Sequence, residues 1–196
     1  MATETYSRGE VEEAFKHYFM TGPVMENWIA WSQLFTEDAV YFDHHYGRFR
    51  GPAEIQLFLE STMMFGRMCY TALEWYNIEG DRIVWKGINR ADHPDPSQPP
   101  FEFPSLQIIY YAGDGRWSSE EDWWIPSEMV KYGKGYAQAC REIDPSFPDQ
   151  LSRRHWGDID WARPPDGHQA RPSWYGREDQ IPVVRRVDDM TFGERV

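Results

Sequence analysis

The sequence predicts an α+β fold: a curved, mostly antiparallel sheet packed against helices, with an extended C-terminal arm. Apolar residues recur at helical spacing up to Gly66, with one short strand among them. From Thr71 to Ile125, strand-like segments follow one another through tight turns. After Asp144-Pro145 periodicity fades into a tail of Pro, Arg, Asp and isolated Trp residues. The expected division is a domain over residues 1–145 and an arm over 146–196 lying on the domain or on a partner subunit.

Ser7-Arg8-Gly9-Glu10 reads as a capping box. It opens a helix whose apolar face carries Val11, Ala14, Phe15, Tyr18 and Phe19, and Gly22-Pro23 is expected to end it. A second helix is expected over Trp28 to Phe35 and a strand from Ala39 to about His45. Gly51-Pro52 opens a third helix through Ile55, Phe58, Leu59 and Met63, since proline suits a first helical turn. Strands follow over Thr71–Glu79 and Arg82–Asp92, turning at Gly80-Asp81. The proline-rich stretch from Asp92 to Pro104 is expected to be a loop near a pocket mouth. Strands over Ser105–Ala112 and Arg116–Ile125 flank the hairpin turn at Ala112-Gly113-Asp114-Gly115. A last helix is expected from Ser127 to Ile143.

At 196 residues and a formal net charge of −12, the chain lacks the basic face that nucleic acid or an anionic membrane requires. No apolar run approaches the ~20 residues that span a bilayer. Met1 to Thr5 has no signal-peptide character, and Cys69 and Cys140 lack metal-ligand spacing, so a cytoplasmic protein with free thiols is expected. With 10 Trp, 11 Tyr and 11 Phe, there are rings enough for a thick core and a pocket wall.

Side chains alternate across a strand, so three polar sets can converge in a curved sheet. They are Tyr41 with Asp43, Arg90 with Asp92, and Asp122 with Glu120 and Trp124 on its own side. An arginine between two carboxylates would hold both by charge-assisted hydrogen bonds. Burial and the guanidinium could then separate the two carboxyls into an acid and a base. Phe15, Trp31, His45, Phe58 and Trp124 are the expected substrate-facing side chains. His44, His45 and His93 could form a metal set with Asp43. Neighbouring strand residues point to opposite faces, however, and no metal or organic cofactor is expected.

The segment Leu34-Phe35-Thr36-Glu37-Asp38-Ala39-Val40-Tyr41-Phe42-Asp43, followed by Arg50-Gly51 and a helix, resembles the nuclear-transport-factor-2-like superfamily. The resemblance extends over about Tyr6 to Asp144 and implies that superfamily's cone-shaped fold. Members include SnoaL-like polyketide cyclases, ketosteroid isomerase and limonene epoxide hydrolase. Resemblance to the isomerase puts its base on Asp43, but Phe15 and Gln107 stand where its oxyanion-holding Tyr and Asp would be. Tyr41-Phe42-Asp43, Arg90-Ala91-Asp92 and Asp122-Trp123-Trp124 are more similar to the epoxide hydrolase pattern, with Asp43 replacing an Asn. That resemblance implies Asp122 as general base, Asp92 as acid, Arg90 bridging them, and Tyr41 with Asp43 holding water. It implies hydrolysis of an epoxide on a small, mostly apolar substrate. Isomerisation, cyclisation or dehydration is the near rival, and a non-catalytic binder of a hydrophobic ligand or a protein the other. A homodimer through the open sheet face is also implied.

Overall fold

The computed structural model describes residues 6–195. Helix α1 (Arg8–Phe19) starts as its capping box predicts, with Ser7 Oγ accepting from the Glu10 amide at 3.2 Å. Gly22-Pro23 does not end it abruptly: the chain continues through one wide π turn, Met20–Val24, with Pro23 inside it. Gly22 is needed there because a Cβ would lie 2.4 Å from the Trp31 ring. Helix α2 is shorter than expected, Trp28–Ser32, and strand β1 (Phe35–Asp43) begins earlier. β1 ends at Asp43, so His45 lies in a turn and the alternation expected for it does not apply. A short β2 (Gly47–Arg50) returns along β1 before α3 (Gly51–Phe65).

Strands β3 (Tyr70–Glu79), β4 (Arg82–Ala91), β5 (Phe101–Gly113) and β6 (Arg116–Trp124) form a meander, and α4 (Pro126–Ile143) follows. β5 reaches further back than expected and includes Pro104. β6 ends at Trp124 opposite Ser105, so one flank of β5 is an edge at Pro104, where a missing N–H is tolerated. Among the described residues the sheet runs β2-β1-β6-β5-β4-β3, antiparallel except where β1 lies parallel to β6. Helices α1 to α3 pack with the inner face of the sheet around buried Phe15, Phe19, Trp31, Trp85 and Trp117. α4 builds a smaller cluster with Ala91, Phe103 and Phe147. No helix among the described residues is long and apolar enough to cross a membrane.

The segment after Asp144 lies on its own domain. It has little regular structure, yet Trp174 is 1% exposed and Ile181, Val184 and Met190 are buried with the main core. Trp161 packs against Phe15, Phe19 and Tyr76. Three buried carboxylates fasten the arm. Glu26 pairs with Arg153 at 3.1 Å, and Glu60 with Arg177 at 2.9 Å and the Ser173 hydroxyl at 2.8 Å. Asp92 accepts from the Ser152 hydroxyl, the Arg154 amide and side chain, His155 and the Tyr70 phenol, all at 2.6–3.1 Å. Burial pushes the Asp92 carboxyl up, but these donors outweigh it and hold it below the ordinary value.

Asp92→Ala would leave these buried donors without their acceptor. The variant should be destabilised by about 3–5 kcal/mol in urea unfolding and lose the arm first to limited proteolysis. Because the folded Asp92 pKa is depressed, its stabilisation is present above the unfolded value near ~4 and is lost as pH falls below it.

Candidate active site

The inner sheet face and the helices enclose a cavity of about 600 Å³. Pairing decides which side chains reach it. β1 lies beside β6 with Tyr41 opposite Glu120 and Asp43 opposite Asp122; β5 lies on the other side of β6 with Gln107 opposite Asp122 and Ser105 opposite Trp124. All of these line the cavity, as do Trp85 and Asn89 of β4. Trp31 and Phe58 add rings from α2 and α3, and Met129 and Tyr132 of α4 complete the wall.

One wall is acidic. Tyr18 of α1 donates to Glu120 at 2.7 Å, and Tyr41 donates to Asp122 Oδ2. Asp43 is 3% exposed and accepts from the amides of His45 and Tyr46 at 2.7 and 2.8 Å and from Trp124 Nε1 at 2.9 Å. Burial raises the Asp43 carboxyl and these N–H donors oppose it, leaving it above its ordinary value. Burial and the nearby charge of Asp43 push Asp122 up to about 8. Burial, and then the Asp122 charge, put Glu120 well above its ordinary value too. Glu120 and Asp122 can hydrogen-bond only through a proton held between them. At neutral pH Asp122 is therefore largely protonated, beside an Asp43 carboxyl whose three N–H donors favour its ionised form.

The facing wall is neutral. Thr71 Oγ1 donates to Asn89 Oδ1 at 2.7 Å, and Asn89 Nδ2 and Gln107 Nε2 both donate to Ser105 Oγ, at 3.0 and 2.7 Å. With two bonds accepted, the Ser105 hydroxyl proton is free to be donated to a ligand. Gln107 Oε1 and Asp122 Oδ1, side by side on neighbouring strands, are buried acceptors without a conventional donor among the described residues. The arrangement can give a proton to a ligand oxygen, take one from a donor group, and seat an apolar body.

The same architecture occurs in solved structures. An LEH-like epoxide hydrolase of M. tuberculosis is 18% identical, with a TM-score of 0.54 over 71% of this chain and 98% of that one. A protein assigned as a SnoaL-like polyketide cyclase from Jannaschia sp. CCS1 is 14% identical, with a TM-score of 0.53 over 66% and 96%. The epoxide hydrolase/cyclase-like enzyme SalBIII of pyran ring formation in the polyether salinomycin is 13% identical, with a TM-score of 0.51 over 62% and 95%. The chain has the nuclear-transport-factor-2-like fold. No protein-family model matches the sequence, and no curated protein sequence does. At these identities the likeness establishes the fold alone.

Within this nuclear-transport-factor-2-like cone, Tyr41, Asp43, Asp122, Trp31, Phe58 and Trp124 line the cavity together. Arg90 and Asp92 do not. The inward side chains of β4 are Trp85 and Asn89, so Arg90 points to the other face, where it bonds Glu102 and the His155 carbonyl. Asp92 is buried under the arm instead, and among the described residues no guanidinium bridges two cavity carboxyls. Phe15 packs inside the core among Tyr76, Trp85 and Trp161 and does not line the cavity. His45 is exposed in the turn after β1, its ring 4.9 Å from that of Trp124. His44 bonds Glu121 at 2.6 Å on the outer face, and His93 bonds the Asp95 backbone.

Tyr18, Ser105 and Asn89 were not among the sequence candidates, and Glu120 and Gln107 were named there without a role in the site. Tyr18 was legible only as one more apolar-face residue of α1. Glu120 shares a strand face with Asp122, and that was the available signal.

The raised Asp122 pKa has a measurable sign. Folded protein keeps a proton that unfolded chain releases near ~4, so stability contributed by neutral burial is lost as pH rises from there to about 8. Asp122→Asn should therefore match or exceed wild-type stability above about pH 8. A protonated-carboxyl infrared band of the wild type should fade as pH passes about 8, and part of it should be missing in the variant.

Proposed function

We propose that this protein is a cofactor-independent acid–base enzyme that moves protons on a small, mostly apolar molecule in an isomerisation, cyclisation or dehydration. The observation that carries the reading is the pairing of Asp43 with Asp122 on neighbouring strands of one ring-walled cavity. Three N–H donors favour the ionised form of Asp43, whereas Asp122 is protonated at neutral pH. Asp122 acts as general acid toward a substrate oxygen, and Asp43 takes a proton from carbon or hydroxyl. The two carboxyls exchange protonation states during the turn, and solvent or the product resets them. Tyr18 and Tyr41, whose phenols burial and the neighbouring carboxyls keep far above their ordinary pKa, stay protonated and orient the acids.

Epoxide opening is the second reading, favoured by Tyr41, Asp43 and Asp122 sharing the cavity. Asp122 would protonate the ring oxygen while Asp43 takes a proton from the attacking water. It ranks second because the bridging arginine and second aspartate of the hydrolase pattern, Arg90 and Asp92, lie away from the cavity.

The test is turnover of enones, aldol-competent polyketones and epoxides by the wild type, followed by Asp122→Asn and Asp43→Asn. Each variant should lose about 10²–10⁴-fold in kcat with its circular dichroism unchanged. The wild-type rate should fall as pH rises through about 8, as Asp122 loses its proton. Undiminished turnover in Asp122→Asn would remove the mechanism. A wild type inert toward all three classes but still binding them would make the protein a ligand carrier.

We also propose a homodimer through the outer sheet face, where Trp75, Tyr110 and Trp123 are 43%, 39% and 46% exposed. Trp123→Glu should convert a dimer to a monomer in sedimentation velocity. A wild-type monomer at micromolar concentration would refute the assembly.

A further inference from the structure

The cavity contains carboxyl groups at its floor but basic groups elsewhere. Among the described residues that line it, the basic side chains are Lys134 of α4 and Arg185 of the arm, both exposed. Neither side chain makes an ion pair within 4.0 Å among the described residues. Three other arginines of the arm are held by buried carboxylates, Arg153 by Glu26, Arg154 by Asp92 and Arg177 by Glu60, whereas Lys134 and Arg185 stand at the cavity. Two further lining residues, Phe65 and Val130, are 54% and 45% exposed, so the outer part of the cavity combines apolar and cationic surface.

We infer that the ligand is amphipathic: its apolar body lies within the cone and a carboxylate at its outer end is held by Lys134 and Arg185. This rests on the reading of the cavity as a site for a small, mostly apolar molecule. Charge decides the orientation. A carboxylate at the floor would lose its water and lie near the Asp43 carboxyl, whose ionised form three N–H donors favour, and both oppose it. At the mouth it stays partly hydrated and meets two uncommitted cations, one of them able to fork both oxygens. The arm would thus complete the binding site as well as cover the domain.

Binding alone tests this, independently of turnover. Tryptophan fluorescence of the full chain would be titrated with decanoate and 1-decanol. Decanoate should bind about fivefold more tightly than the alcohol, the size of two exposed ion pairs. Lys134→Gln with Arg185→Gln should abolish the preference for decanoate while leaving decanol binding unchanged. The wild-type preference should also shrink between ~50 mM and ~500 mM salt. Equal affinities for the acid and the alcohol, or a preference that survives the double variant, would overturn the inference. Failure of Asp122→Asn to affect turnover, with the decanoate preference intact, would remove the catalytic reading and leave this one standing.

Discussion

Three carboxyl side chains share an apolar cavity and, among the described residues, none of them pairs with a lysine or arginine; the chemistry proposed for the site depends on that constraint. An isolated buried carboxylate is expensive, so the structure must supply hydrogen bonds or leave the proton on. It does both. Asp43 receives three N–H groups, two from the turn that ends β1 and one from Trp124. Glu120 and Asp122 keep protons and are oriented by Tyr18 and Tyr41. An arginine in their midst would have pulled all three toward the ionised state and removed the acid. The cation-free floor and the acid–base asymmetry are one feature viewed from two sides.

How much of this was legible follows from strand parity. A period of two places Glu120, Asp122 and Trp124 together, and Tyr41 with Asp43, whatever the tertiary structure. It cannot state which face is inside, because a one-residue slip exchanges the faces. At β1 and β6 the face turned to the cavity is the one with the acids, although Val40, Phe42 and Trp123 on the other face are apolar. At β4 the face turned to the cavity carries Trp85 and Asn89, and Asp92 lies beyond the strand, which ends at Ala91. Asp92 is buried all the same, 1% exposed, by an arm with no periodicity to announce where it docks. Ser105 was invisible for another reason, and Gln107 was named only through the isomerase resemblance. Neutral polar residues in a strand carry no charge pattern, and these two matter here because β5 lies directly beside β6, with Gln107 opposite Asp122.

The arm joins stability to the site. Its tryptophans are compositionally conspicuous, but its attachment rests on single carboxylates distant in sequence: Glu26 before α2, Glu60 in α3 and Asp92 after β4. Each lies in a different part of the domain, so the arm spans elements that the sheet does not connect directly. It then reaches the outer part of the cavity at Arg185 and ends by pairing Glu194 with Arg48 of β2.

The parallel contact between β1 and β6 also bears on how the site is assembled during folding. Tyr41 and Asp122 are 81 positions apart, and Tyr18 and Glu120 are 102 apart. No local hairpin can bring these partners together, so the acids are assembled only when the final strand docks beside the first. Such a high contact order slows the search for the native state. On the ribosome, a chain that stops short of β6 would carry Asp43 but neither Glu120 nor Asp122, the two acids that complete the floor.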